Sequence, residues 1–355
     1  LRKELLKYVR CPVDGSELSL SATRVDDDGH IIEGTLTSGQ GIQYPINRGV
    51  PNLLPPDENS VVPGLSNLSS RTQKHFGYEW TIYNRWGWLD DYPDNMTDEL
   101  LYVGALKSQT VSTFWSKTLL DESELGGQHL VLDGGCGNGR FLNIVQEYGV
   151  SAIGVDLGPA VYAAFENTRH MPNVHIVRGD LLQLPFNDRI FDRIYSIGVL
   201  MHTGDASKSF DSLAQYLKQG GLFSVRVYGK GLPIYEALDV FTRAVILKCP
   251  IPVQMLFSRV TAGFTRWLRN GGSFRNRVYR RLKLYYRMQP TPHHTFDWWA
   301  APIATHHTLD EVLDWYQRNG LIHLDTKPKL NDEKEARHYK RNNLAITVKG
   351  KLTDK

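Results

Sequence analysis

The run Val131-Leu132-Asp133-Gly134-Gly135-Cys136-Gly137-Asn138-Gly139-Arg140 joins an apolar strand pattern to a glycine-rich turn and then to a helical stretch. Glycine admits positive φ and lets a ligand approach the backbone, and the amides that open the next helix can hold a carboxylate. Such a loop suits a bound cofactor. The spacing narrows the choice: Gly135, Gly137 and Gly139 give G-x-G-x-G, whereas the dinucleotide fingerprint needs a glycine where Arg140 stands.

Acidic residues recur downstream at matching intervals. Asp133 to Asp156 is 23 residues and Asp156 to Asp180 is 24, so each falls where a successive parallel strand should end. A carboxylate at the second strand tip can accept hydrogen bonds from both hydroxyls of a ribose. One at the third can accept from an adenine amine. A fourth strand pattern, Phe191 to Ile197, runs on into Gly198-Val199-Leu200-Met201-His202, where the reacting end of a ligand would be presented. Asp192 opens that strand, and a carboxylate in that place more often caps a neighbouring amide than does chemistry.

In this order the pieces resemble the class I S-adenosylmethionine-dependent methyltransferases, specifically the branch acting on small molecules, lipids or quinones, over about residues 70–350. The resemblance implies S-adenosylmethionine as cofactor, with Asp133, Gly135, Cys136, Gly137 and Gly139 around its methionine part. It places Asp156 and Leu157 at the ribose, Asp180 and Leu181 at the adenine, and Ser196, Ile197 and Gly198 along the sulfonium. Relatives often carry a His-His pair where this chain has Met201-His202, so only His202 carries over. Phe76-Gly77-Tyr78-Glu79-Trp80 resembles the Phe-Gly-Tyr-x-Trp signature of a helix or lid over the cofactor, which adds Tyr78 and Trp80. Packing of these rings between parts of the fold is the plainer alternative.

A second resemblance covers Leu5 to Leu54. Arg10-Cys11-Pro12-Val13-Asp14-Gly15 and the run Gly41 to Pro51 are similar to a small zinc-ribbon-like domain. That domain is an activator subunit of some tRNA methyltransferases and is fused to many bacterial ones. Its metal-binding members carry two Cys-x-x-Cys pairs; the positions here read Cys11, Asp14, Thr37 and Gln40. One thiolate stands where tetrahedral zinc wants four soft or imidazole ligands, so no metal is expected.

The elements that must hold these residues follow from periodicity. A chain of 355 residues, 41% hydrophobic and 22% charged, is of ordinary globular composition and exceeds one usual domain. Three scattered cysteines suggest a reducing, cytoplasmic setting. No apolar run is long enough to span a bilayer, which leaves peripheral membrane contact open. Strand patterns alternate with helical ones from Gln128, and a strand pair follows a helix at Leu309–Asn319. The expected fold is α/β: a doubly wound, mostly parallel seven-stranded sheet with an antiparallel edge strand, a small β-rich N-terminal module and a helical cap insertion. The expected boundaries are 1–56 for the module, 57–127 for linker and helical lid, 128–228 for the cofactor core, 229–308 for the cap and 309–355 for the rest of the core.

The cap region is unusual in charge. Between Asp239 and Asp297 lie 57 residues without an acid and with eleven Lys or Arg, in a chain whose net charge is +3. Arg280, Lys283 and Arg287 share a helical face and are candidates for an anionic substrate, although a solvated basic face is the bland alternative. His293 to Trp299 and Thr305 to Thr308 are rich in histidine and aromatics, as a pocket wall would be, with Trp298 a substrate contact. The His-His pairs lack a Cys or Glu at ligand spacing, so metal is not expected there either. His202, His306 and His307 are the candidates for a general base. The function expected is methyl transfer to a small-molecule acceptor, at oxygen or nitrogen, with an anionic group. An RNA methyltransferase and a cofactor-binding protein without activity are the alternatives.

Overall fold

Short apolar runs between Gly and Asp turns fold at the N-terminus into four antiparallel strands, β1 (Ser19–Val25), β2 (Ile31–Thr37), β3 (Gln43–Asn47) and β4 (Val50–Pro51). Two helices, α1 (Leu65–Ile82) and α2 (Lys107–Thr118), lead to the core. There β5 (Leu130–Gly134), α3 (Leu142–Val145), β6 (Ser151–Asp156), α4 (Ala160–Thr168), β7 (Val174–Arg178), β8 (Phe191–Ile197), α5 (Ala206–Gln215) and β9 (Leu217–Val227) follow one another. The insertion holds α6 (Pro233–Ile246), α7 (Ile251–Arg269), α8 (Ser273–Leu282) and α9 (Pro292–Ala300). The chain returns through α10 (Leu309–Arg318), β10 (Leu321–Lys327) and β11 (Ile346–Leu352). The structure is a computed structural model and describes residues 1–55, 65–92, 104–283, 288–329, 332, 334, 335 and 345–353.

The large sheet has seven strands in the order β10-β11-β9-β8-β5-β6-β7. The five from β9 to β7 are parallel, and β11 runs against both of its neighbours. The antiparallel strand therefore sits one place inside the edge, where the sequence pointed to the edge itself. Burial explains the order: six of the seven residues of β11 are buried, while β10 exposes Ile322, His323 and Leu324 and can face solvent. Because β5 has β6 on one side and β8 on the other, the chain leaves it in opposite directions and a crevice opens at the strand tips.

The N-terminal sheet does not stand apart. Leu53 N donates to Arg178 O at 2.8 Å and Arg10 N to Pro185 O at 2.7 Å, so the module is stitched beside β7 and the loop after it. Leu5, Val9 and Leu36 share one apolar core with Ile153, Val155 and Val177. An otherwise open sheet edge is thereby covered. Of the would-be zinc positions, Cys11 Sγ lies 3.2 Å from the Tyr44 hydroxyl and Asp14 accepts from Ser16 N at 2.8 Å.

In the insertion, α6 and α7 pack on α9, and α9 packs on α1. Its core is polar at one point: Arg243 Nε donates to Asp239 at 2.8 Å, Trp298 Nε1 donates to the same carboxylate at 2.9 Å, and Arg243 also reaches Ala301 O at 3.0 Å. The helix that follows begins with the capping box read from the sequence, Thr308 with Glu311. Among the described residues no helix is long and apolar enough to cross a membrane.

Candidate functional site

A cavity of about 550 Å³ fills the crevice at the strand tips, beneath α1 and α9. Its floor is the loop after β5. Gly135, Gly137 and Gly139 have φ of +89°, +54° and +79°, which only glycine adopts freely. A Cβ on Gly135 would lie 2.3 Å from Val199, and one on Gly137 would lie 3.1 Å from the Trp80 indole. The loop is thus pressed between the segment after β8 and the lid helix α1.

Two carboxylates continue the floor. Asp156 accepts from Gly137 N at 3.0 Å and from Gly158 N at 2.9 Å, one amide on each oxygen, leaving a second lone pair on each. Burial raises its pKa and these amides oppose the shift. Asp180 accepts from Leu182 N at 2.9 Å, and burial raises its pKa too. Both sets of spare lone pairs suit the hydroxyls and amine of a nucleoside, so the residues present fit the cofactor that the sequence implies.

Of the cofactor residues named from sequence, Gly135, Cys136, Gly137, Asp156, Leu157, Asp180, Leu181, Ile197, Gly198 and Trp80 line this cavity. Four do not. Asp133 lies under the loop, accepting from the Tyr195 hydroxyl at 3.2 Å, with its pKa pushed up to about 8 by burial. Ser196 donates to Gly134 O at 2.7 Å, and Gly139 backs onto Ala164 and Thr168. Tyr78 is exposed, because Phe76, Glu79 and Trp80 at i, i+3 and i+4 share the inward face of α1.

The candidates on the cap side separate in the same way. His202 lines the cavity from a 3-10 turn, Leu200–His202. Its Nδ1–H donates to Ile303 O, which leaves Nε2 a bare acceptor without a protein partner. Burial lowers its pKa to about 4, so it is neutral at pH 7. His306 is bonded to Glu236 and stacks on Trp298, centroids 5.6 Å apart, away from the cavity lining. His307 is held by Thr305 Oγ1 at 2.8 Å and lies edge-on to Trp315, so it too is structural in placement. Trp298 lines the cavity; Arg280 and Lys283 are exposed on and just after α8 and do not. Arg287 falls outside the described residues.

Sequence reasoning read His293 to Trp299 as a pocket wall but missed the buried polar group that Glu79 and Arg140 complete there. Glu79 and Asp297 line the cavity together with His293 and Arg140. Glu79 Oε1 is 2.8 Å from His293 Nδ1, yet off the line of a hydrogen bond, and neither Glu79 oxygen has a protein partner. Burial pushes Glu79 up to about 8, against the pull of Arg140. Burial pushes Asp297 up to about 6 and takes His293 down to about 4. The signal available was spacing: His293 and Asp297 are i and i+4 on α9, one helical face.

Strand order, the glycine loop pressed between α1 and β8, and the two acids at the tips of β6 and β7 define a Rossmann-like domain for a nucleoside cofactor. Residues 132–225 match the family profile described as Methyltransferase domain. Residues 132–225 are therefore a methyltransferase domain, and the glycine loop with Asp156 and Asp180 fits S-adenosylmethionine as its cofactor. The tRNA U34 carboxymethyltransferase of Aeromonas salmonicida is 34% identical over 112 residues, 30% of this chain and 34% of that protein. An uncharacterised protein of Methanocaldococcus jannaschii is 26% identical over 179 residues, 49% of this chain and 70% of that one. Geranyl diphosphate C-methyltransferase from Streptomyces coelicolor A3(2) aligns at 11% identity and a TM-score of 0.48, covering 82% of this chain and 99% of that structure. The chain spans about a third of the length of the first of these relatives.

Proposed function

We propose that the chain transfers a methyl group from S-adenosylmethionine to an oxygen or nitrogen of a small-molecule acceptor, in the cytoplasm. One observation carries this reading: the cavity lined by the glycine loop, Asp156 and Asp180 is also lined by His202, Tyr228 and Trp298, so cofactor and acceptor share one space. Its volume of about 550 Å³ is that of a small-ligand site.

When bound, S-adenosylmethionine supplies an electrophilic methyl on a sulfonium. The glycine loop, Asp156 and Asp180 hold the donor in place, and Gly198 and Val199 border the space where donor and acceptor meet. Tyr228 and Trp298 offer the acceptor an aromatic wall, their centroids 4.1 Å apart. His202 Nε2 accepts the acceptor's proton as the new bond forms; that proton becomes strongly acidic during transfer, so a neutral, weakly basic imidazole suffices. Alignment of the two reactants supplies most of the acceleration. Arg280 and Lys283 do not line the cavity, so support for an anionic acceptor passes from them to Lys117, Arg140, Lys208 and Arg226, which do.

The test is incubation of the protein and of Asp156→Ala with labelled S-adenosylmethionine and fractionated extract. Label entering small molecules with the wild type and not the variant supports the reading. Label entering RNA instead gives the RNA alternative, and cofactor binding without any label gives a binding protein.

A further inference from the structure

Helices α6 and α7 carry large apolar side chains on their outer as well as their inner faces. The inward face of α7 mixes Gln254, Ser258, Ala262 and Thr265 with Met255 and Leu268, and Met255 shares an apolar cluster with Phe296 and Ala300 of α9. Its outward face carries Val253, Leu256, Val260, Phe264 and Trp267 at helical spacing. On α6 the Asp239–Arg243 ion pair points in, while Ile234, Val240, Phe241 and Val245 point out. Phe274 on α8 belongs with them, since Arg275 beside it lies over the Trp267 ring at 4.8 Å. These ten side chains are 45–74% exposed and make up ten of the seventeen exposed large hydrophobic residues among those described. An apolar surface this concentrated is not ordinary decoration of a globular protein.

The charge around it has one sign. Lys248, Arg259, Arg269, Arg277, Arg280, Arg281 and Lys283 are exposed, and the sequence has no acid from 240 to 296. Helix α8 has no buried residue and packs on α7 with Arg277 and Arg281 exposed, while Arg280 donates to Asn276 at 2.8 Å.

We propose that the outer face of α6, α7 and α8 docks on an anionic lipid surface, lying in the headgroup layer with the aliphatic and aromatic stripe inserted and the Lys and Arg side chains at phosphate level. An apolar stripe with a cationic border is the pattern of a helix that rests in a membrane interface, and Trp and Arg both suit that depth. The helices are not apolar enough to cross it. A second copy of the chain fits less well, because a two-fold contact would set cationic borders against each other. RNA fits less well too, because six of the ten side chains, Ile234, Val240, Val245, Val253, Leu256 and Val260, are aliphatic and give bases no face to stack on, whereas a lipid interface takes aliphatic and aromatic side chains alike. The proposal stands independently of the acceptor's identity.

The experiment is co-sedimentation of the full chain with vesicles of phosphatidylcholine alone and of phosphatidylcholine mixed with phosphatidylglycerol. Binding is expected to the mixed vesicles, weakened by salt, and to fall by about tenfold or more in Leu256→Glu and in Phe264→Glu. Circular dichroism and S-adenosylmethionine calorimetry are read on each variant, and both are expected to match the wild type. Lys283→Glu is expected to weaken binding by less. Wild-type protein that ignores the mixed vesicles overturns the proposal, as does a Leu256→Glu and Phe264→Glu pair that binds them normally. Concentration-dependent dimers abolished by Leu256→Glu, without vesicle binding, overturn it in favour of a second copy. Wild-type RNA binding that these variants lose, without vesicle binding, overturns it in favour of RNA. None of these outcomes bears on methyl transfer, which the labelling experiment reads separately.

Discussion

Glu79 Oε1 and His293 Nδ1 stand 2.8 Å apart in the cavity wall, the carboxyl held near a pKa of about 8 and the imidazole near about 4. At neutral pH both are uncharged and the proton belongs to Glu79. Helix α1 and helix α9 therefore meet across a neutral acid and a neutral base where a surface reading would expect an ion pair.

Stability should carry the mark of this arrangement. Folded Glu79 and Asp133 keep their protons to about pH 8, while the unfolded carboxyls release them near 4.5 and 3.8. Between those limits the folded chain binds more protons, so stability falls as pH rises. His75, His202 and His293 act in the opposite direction: folded values of about 3, 4 and 4 against 6.5 make the unfolded chain the better proton binder, and stability falls as pH drops below 6.5. Above pH 6.5 the histidines drop out, and the two carboxyls are opposed by the Leu1 amino group, which burial lowers from 8.0 to about 5. Thermal melts should lose stability from pH 6.5 to 8, by at most about 1.4 kcal/mol per pH unit for each carboxyl. Glu79→Gln should flatten that decline; an unchanged slope would exclude Glu79 as its source.

Gly135→Ala tests the floor of the site. The new methyl meets Val199 at 2.3 Å on a backbone with φ of +89°. The variant should lose about 1–3 kcal/mol of stability and most of its affinity for S-adenosylmethionine, both readable by calorimetry.

Asp156→Ala tests the nucleoside contact. Removing the acceptor also releases the Gly137 and Gly158 amides, so cofactor binding should weaken by about 1–3 kcal/mol. Isothermal calorimetry with the wild-type affinity unchanged would take Asp156 out of the site.

His202→Asn tests proton removal. If Nε2 takes the acceptor's proton, kcat should fall by roughly 10²–10⁴ with cofactor affinity kept, and the acid limb of the pH profile should disappear. A variant with full kcat would leave His202 as a wall of the cavity only.

Asp239→Ala should destabilise the cap by about 3–5 kcal/mol, since it strands the buried Arg243 guanidinium and removes the acceptor of Trp298 Nε1. Thermal denaturation reads this directly.

The sequence by itself determined the parts whose spacing is set by the backbone. Glycine positions and the acid interval follow from the length of a βα unit, so the loop 133–140, Asp156 and Asp180 were legible, as was the Thr308–Glu311 capping box. Asp192 was legible as a cap for the same reason, and it does accept from Leu130 N at 2.8 Å. What depends on which face of a helix meets which distant partner was decided only in three dimensions. Glu79 becomes a buried acid because α9, more than two hundred residues later, closes over it. His306 and His307 turn from the cavity because Glu236, Thr305 and Trp315 hold them. On α7 periodicity gives two faces that both carry apolar residues, and only the packing of Met255, Ala262 and Leu268 inward leaves Val253, Leu256, Val260, Phe264 and Trp267 outside. Periodicity reveals that a helix has two faces; tertiary packing assigns each of them to the interior or to the surface.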